Sequence, residues 1–379
     1  MAQAQLQPVV SNIQVGQRAG TKLVDITYTL TYSGGPVTVW VEVSNDGGRS
    51  YIVPAKTFSG HIGPGVSPGT NRAIVWNAEA DVDGLLTEQM RVRINARSGN
   101  VPIPPAGMVL IPGGTFQMGE WVGGSSAGTL TIYLNAFFMD RYEVTGALWT
   151  EVRTWAVQNG YSNMTADWLE PSHPANNVTW YDVVRWCNAR SEKEGLTPVY
   201  YTDTSQSNPC RSASLIPLTN AMVKWNANGY RLPTEAEWEK AARGGLSGKL
   251  YSWGSEALTG GMANWGGSSH PWSGVTPRTT PAGYYNGGQQ GGGSDMANGY
   301  GLYDMIGNVR EWCWDRGAAW SDLTGGNNPR GSDTGGSRIH RGGSWVNGNS
   351  IALRVYARVI DSNPSSAGGG DGFRCVRGL

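Results

Sequence analysis

The sequence predicts two domains of different class: an all-β module over roughly the first hundred residues, then a larger, loop-rich α+β domain. Three observations carry this. Apolar and polar residues alternate with period two along Lys22–Tyr32 and Val37–Val43, the mark of half-buried strands. The 379 residues include 55 glycines and 17 tryptophans, against 5 phenylalanines. Glycine permits tight turns at positive φ, and indoles pin irregular backbone with a large apolar face and one N–H donor. Helical periodicity appears only after residue 107, in short runs.

Bulk composition narrows the function classes. Hydrophobic residues make up 39% and charged residues 15%, which is soluble and globular. The 29 basic and 29 acidic side chains cancel, so the chain lacks the basic surplus that phosphate neutralisation needs, and no nucleic-acid partner is expected. No apolar run approaches the ~20 residues of a membrane span. Met1-Ala-Gln-Ala-Gln5 lacks the apolar core of a signal peptide, which leaves the compartment open. Cys187, Cys210, Cys313 and Cys375 show no C-x-x-C spacing, so a zinc site is not expected.

Along the chain, residues 1–97 read as the β-module. After the two alternating runs, Asn45-Asp-Gly-Gly48 signals a turn and Arg49–Val53 a returning strand. Arg72–Trp76 and Gln89–Asn95 supply later strands, and such regular spacing suggests an immunoglobulin or fibronectin-like sandwich. Ser98–Ala106, with three prolines in Val101-Pro-Ile-Pro-Pro105, reads as a stiff linker. Residues 107–379 form the second domain. Gly107–Gly119 reads as strand, turn and strand, and Phe137–Thr145 as a strand ending at a helix cap. Ala147–Ala156, Trp180–Arg190 and Pro233–Arg243 carry the helical pattern, Pro233 suiting a first turn. Beyond Gly245 loops dominate.

Several motifs here resemble the formylglycine-generating enzyme (sulfatase-modifying factor) superfamily. They are Gly107-Met-Val-Leu-Ile-Pro-Gly-Gly-Thr-Phe116, Asn177-Val-Thr-Trp180, Tyr230-Arg-Leu-Pro-Thr-Glu-Ala-Glu-Trp-Glu239, Gly301-Leu-Tyr-Asp-Met-Ile-Gly-Asn-Val-Arg-Glu-Trp312, Arg341-Gly-Gly-Ser-Trp345 and Gly372-Phe-Arg-Cys375. The resemblance covers residues 107–379 and implies a C-type-lectin-like fold. It does not by itself imply the enzyme's reaction. That enzyme oxidises a cysteine with copper held by two cysteines that follow the Gly-Gly-Ser-aromatic motif. Here Trp345–Arg354 contains no cysteine; Asn347 and Ser350 stand roughly in their places, and neither an amide nor a hydroxyl replaces a thiolate on Cu(I). No copper and no oxidase activity are therefore expected. Iron-dependent relatives use a histidine-rich domain, and the four histidines of this chain, His61, His173, His270 and His340, show no paired spacing.

The resemblance also implies a calcium loop at Asp304–Glu311, with carboxylates from Asp304 and Glu311 and main-chain carbonyls from Gly307 and Val309. The alternative is a turn in which both carboxylates accept protein hydrogen bonds. Asn264-Trp265 resembles the start of a second calcium loop, but the aspartate expected downstream is not evident. Cys187 and Cys375 align with a pair that forms a disulfide in the secreted enzyme; two buried thiols are the alternative. Glu235 and Glu239, four apart on a helix, are framework rather than an acid–base pair.

The stretch between Arg341 and Val376 is similar to the variable region of diversity-generating retroelement proteins. In those, adenines of AAC or AAT codons are randomised near the 3′ end of the gene. Such codons never yield Lys, Glu, Gln, Met or Trp, and none of the five occurs from Val346 to Asp371. The neighbouring loop Ser321–Ser344 also lacks them. On this reading Trp345, Arg354, Arg358, Pro364, Phe373 and Arg374 are framework. The contact candidates are Val346, Asn347, Asn349, Ile351, Leu353, Tyr356, Val359, Ile360, Asp361, Ser366, Gly369 and Asp371, with Tyr356 the best anchor. The expected partner is a protein or cell-surface ligand, and the expected place is a cell surface, a secretion or a virion. An enzyme with a different site and a structural surface or phage-tail protein are the alternatives.

Overall fold

The computed structural model describes residues 7–379 apart from 83, 85–86, 100, 120–127, 291 and 318–324, and only the backbone of Asp361. The chain divides into two compact units, Met1–Leu110 and Ile111–Leu379.

The first unit is built from β1 (Val9–Gln17), β2 (Leu23–Thr31), β3 (Val37–Ser44), β4 (Phe58–Gly60), β5 (Gly63–Val66), β6 (Gly69–Asn77), a short α1 (Ala78–Val82) and β7 (Arg91–Ser98). They form two antiparallel sheets, ordered β1-β2-β6-β4 and β5-β3-β7. Ile26, Tyr28 and Leu30 of β2 point into a core shared with Val37, Val39 and Val43 of β3, as the alternation requires. The core polar groups are satisfied: Tyr28 Oη donates to His61 O at 2.6 Å and Trp76 Nε1 to Asp81 Oδ2 at 2.8 Å. The expected returning strand Arg49–Val53 does not form; only Val53 bridges Val43. The Asp46 carboxylate accepts from Ser50 N at 2.9 Å and Ser50 Oγ at 2.6 Å, closing 46–50 into a side-chain-held loop instead of a ladder. β7 runs on to Ser98, into the stretch expected to be linker, because it pairs with β3 as far as Val37.

After β8 (Met108–Ile111) come β9 (Gly114–Gly119) and β10 (Thr129–Leu134), an antiparallel pair, then β11 (Phe137–Asp140). Helix α2 (Gly146–Gln158) is capped by Thr145, whose hydroxyl accepts from Leu148 N; β11 ends sooner than expected, at Asp140, and Thr145 itself makes an isolated β-bridge with Pro174. Helix α3 is Trp180–Lys193, capped by Thr179. Helix α4 is Glu235–Arg243, two residues short of the expected start. Thr234 and Glu237 form a capping box there, which leaves Pro233 outside the helix. Between Arg243 and Arg310 the described residues hold no helix or strand.

The organising sheet of this unit is ordered β15-β14-β12-β16, made of β12 (Arg310–Arg316), β14 (Arg338–Arg341), β15 (Arg358–Ser362) and β16 (Asp371–Gly372). The remaining strands are β13 (Gly326–Asn327), beside β10, and β17 (Val376–Arg377), beside β11. Indoles pin the loops: Trp180 Nε1 donates to Cys313 O at 2.9 Å, Trp312 Nε1 to Val178 O at 3.0 Å and Trp314 Nε1 to Asn220 Oδ1 at 3.0 Å. The segment 342–370 starts and ends on this sheet and supplies its edge strand β15 on the way.

Candidate ligand-binding surface

Both ends of that segment are held by buried ions. Arg341, fully buried, pairs with Glu239 of α4 and donates to Ala357 O at 2.7 Å. Arg358 of β15 forks onto Glu235, one turn earlier on α4. The i,i+4 spacing that makes Glu235 and Glu239 look like a catalytic pair instead puts both under the tail as counter-ions. At the far end, Arg374 forks onto Glu311, with its Nη2 2.7 Å from Glu311 Oε1, and donates to Asp140 O, Arg141 O and Tyr303 O. Gly343 has φ +68, and a Cβ there would fall 2.7 Å from Leu353 Cδ2 and 2.8 Å from Ala352 O, so glycine is required.

Between the anchors the chain turns outward. Val346 is 52% exposed, Ile351 62% and Val359 38%. Asn349, Ser366 and Gly369 are exposed, and Asn347, Tyr356 and Ile360 half-buried. Asn347 and Asn349 also have structural work: Asn347 Oδ1 accepts from Ser344 N at 2.8 Å, and Asn349 Oδ1 accepts from Ile351 N and Ala352 N at 3.1 Å. Arg354 donates to the Tyr356 hydroxyl at 2.8 Å, which fixes that ring. The Asp361 side chain lies outside the described part of the chain.

Two of the sequence candidates are corrected here. Leu353 is fully buried, because the 3₁₀ turn Ile351–Leu353 rotates it inward while Ile351 points out. Asp371 is 4% exposed, paired with Arg310 where β16 lies parallel to β12. Neither is available to a ligand. Val355, in the same run, is buried core.

Beneath this surface the loop 304–311 closes on itself. Gly307 has φ +84, and a Cβ would fall 2.2 Å from Asn264 O. Asp304 Oδ2 accepts from Gly283 N at 2.5 Å, and Glu311 accepts from Arg374 and, at 2.8 Å, from Trp238 Nε1. Sequence reasoning missed Glu143, which accepts from Val309 N at 3.0 Å and Asn308 Nδ2 at 2.6 Å. It sits in a strand-like run with nothing local to tie it to this loop. Burial, with the charges of Asp304 and Glu311, pushes the Glu143 carboxyl well up. Burial also pushes Asp304 up to about 6, against the Gly283 hydrogen bond and the Arg374 charge. Three carboxylates here share one guanidinium. Among the described residues no three His, Cys, Asp or Glu side chains converge on one point, so a cation at this loop would need main-chain oxygens as well.

The second suspected calcium loop is closed by protein donors: Asn264 Oδ1 receives Ser268 Oγ at 3.2 Å and His270 Nε2 at 3.1 Å. Its Gly266 N donates to Asn347 O at 2.9 Å, a support for the tail that the sequence did not disclose. Cys187 and Cys375 lie with their sulfurs 3.7 Å apart as buried free thiols, tying α3 to the C-terminal stretch by packing. Cys210 and Cys313 are buried too, so no cysteine faces the tail surface. His173 is buried, its Nδ1 2.9 Å from Thr279 Oγ1.

The sulfatase-modifying factor enzyme 1-like domain matches residues 96–379. The chain belongs to that family. Among curated relatives, the chaperone protein LppX of Paenibacillus barcinonensis is 33% identical over 74% of this chain and 92% of its own length. The formylglycine-generating enzyme of Thermomonospora curvata is 32% identical over 71% and 93%. Among solved structures, Treponema denticola variable protein 1 superposes with a TM-score of 0.55 at 30% identity, covering 72% of this chain and 95% of that one. The family fold is mixed α and β with few helices, as the second unit is.

Proposed function

We propose that this member of the family is a ligand-binding protein. It displays a diversified C-terminal surface on a C-type-lectin-like fold and acts at a cell surface, in secretion or on a virion. The carrying observation is the contrast inside one segment: Val346, Ile351 and Val359 are exposed while the arginines on either side, Arg341 and Arg374, are buried and ion-paired. Three exposed aliphatics on one short segment suit an interaction surface, and a rigid frame lets them change without unfolding. The likeness to Treponema denticola variable protein 1 supports the reading. The absence of cysteine from Trp345–Arg354 speaks against the copper chemistry of the enzyme relatives. The partner is a protein or cell-surface ligand. The test is the DNA beside the gene. The expected finding is a near-copy of codons 341–377 that differs only at adenines and adjoins a reverse transcriptase gene. A flank with no such copy overturns the diversification.

Loop Asp304–Glu311 would hold Ca²⁺ through Asp304, Glu311 and the carbonyls of Gly307 and Val309, supplying the positive charge that three buried carboxylates around one guanidinium lack. Asp304 titrates near 6 when folded, against an ordinary value of 3.8. Without calcium, its ionisation is opposed in the folded state, so this contribution is intact below about pH 4 and is lost as pH rises through 6. Keeping Asp304 ionised at neutral pH costs about 3 kcal/mol. Calcium should therefore raise the melting temperature over EDTA at pH 7.5, and the gain should shrink at pH 5. Identical melting in calcium and EDTA at pH 7.5 would remove the ion from the account.

A further inference from the structure

Away from the tail, the C-terminal half of α4 borders a cleft of about 330 Å³, lined by Phe116, Leu246, Tyr300, Thr115, Lys240 and Arg243 among others. Its walls are mixed: Phe116, Leu246 and Tyr300 give apolar surface, Thr115, Gln117 and Ser247 give polar groups, and its charge comes from Lys240 and Arg243 of α4. Lys240 is only 5% exposed, and its Nζ donates to Gly114 O at 2.6 Å. An ammonium has three hydrogens to place. Among the described residues no carboxylate lies close enough to pair with it. Glu239, one residue earlier on α4, is already spent. One of its oxygens takes Arg243, with Nη2 at 2.6 Å, and Gly119 N at 2.7 Å; the other takes Arg341. The Phe116 ring centre lies 5.9 Å from the Lys240 ammonium.

A buried cation without a counter-ion is costly. The C-terminal turn of α4 and the Gly114 carbonyl offset part of that cost, since cations suit a helix C-terminus. Burial still holds the Lys240 ammonium below its usual pKa. The volume is at the small end of ligand pockets, and an aromatic and aliphatic patch beside a cation is a pairing that such pockets use. We infer that this cleft binds small carboxylic acids with an apolar, ring-sized body, the carboxylate pairing with Lys240 and the body resting on Phe116, Leu246 and Tyr300. A phosphate fits less well: Arg243 already uses Nε and Nη2 on Glu239 and Gly119 O, so it offers no free two-pronged fork, and Lys240 is a point charge. This site is independent of the tail.

The test is isothermal titration of the full chain with 4-phenylbutyrate and, for comparison, its neutral amide. The acid should bind about tenfold tighter or more than the amide, the scale of one charge-assisted contact. Lys240→Met should reduce the acid to the level of the amide. Acid and amide binding alike, neither binding, or an undiminished preference for the acid in Lys240→Met would each overturn the site. Should Lys240→Met lose its native circular dichroism, Leu246→Glu decides. That side chain is exposed, so the fold should persist, and a carboxylate on the cleft wall should abolish binding of the acid. Retained binding in Leu246→Glu overturns the proposal.

Discussion

Glu239→Ala should destabilise the protein by about 3–5 kcal/mol, the scale for breaking a buried ion pair from one side. Glu239 is fully buried and holds two guanidiniums, Arg243 and Arg341, as well as the Gly119 N–H. Its loss strands Arg243 inside the fold and leaves Arg341, among carboxylates, only the longer contact of its Nε with Glu235 at 3.6 Å. Domains are stable by roughly 5–15 kcal/mol in all, so the effect should be visible as a large fall in the urea midpoint. Glu256→Ala is the control: its pairing with Lys249 at 3.5 Å is exposed on both sides, and such pairs are worth at most about 1 kcal/mol. If the two variants shift alike, the tail is not anchored through α4 in the way described.

That anchoring was only half legible in the sequence. Arg341-Gly-Gly-Ser-Trp345 was legible as a motif resembling the family's; the structure adds that its glycines turn left-handed, φ +89 at Gly342 and +68 at Gly343. Its counter-ion, Glu239, lies 102 positions away, and no local pattern names it. Strands β2 and β3 were visible because their alternation is unbroken. β1 was not picked out as a strand, since Asn12 at φ 52 bulges it and shifts its register. Thr145 could be read as a cap from its place before a helical run; that Thr234 caps α4 and excludes Pro233 was decided by the reciprocal bond with Glu237. In the tail, composition marks a surface but not which side chains face it. Leu353 and Asp371 turned inward through a 3₁₀ turn and a parallel pairing, and neither has a periodic signature. Glu143 was missed because its partners come from a loop more than 160 residues later.

The second large effect lies inside the tail itself. Leu353→Ala should cost about 2–5 kcal/mol, the range for truncating a buried leucine. Leu353 is wholly buried, and its Cδ2 lies close against Gly343, where the backbone cannot follow it inward without disturbing the anchor at Arg341. The cavity therefore stays open rather than collapsing. Equilibrium urea unfolding reads this directly, and a loss below about 1 kcal/mol would place Leu353 back among the surface residues.

The most direct test of the display surface is the same unfolding measurement on one combined variant, Val346→Thr, Ile351→Thr, Val359→Thr and Ser366→Asn. All four side chains are exposed on the tail between the two anchors. The account predicts an unfolding free energy within about 1 kcal/mol of the parent, although four neighbouring positions have changed. A loss as large as that of Leu353→Ala would contradict it, because those side chains would then be holding the fold together rather than facing a ligand.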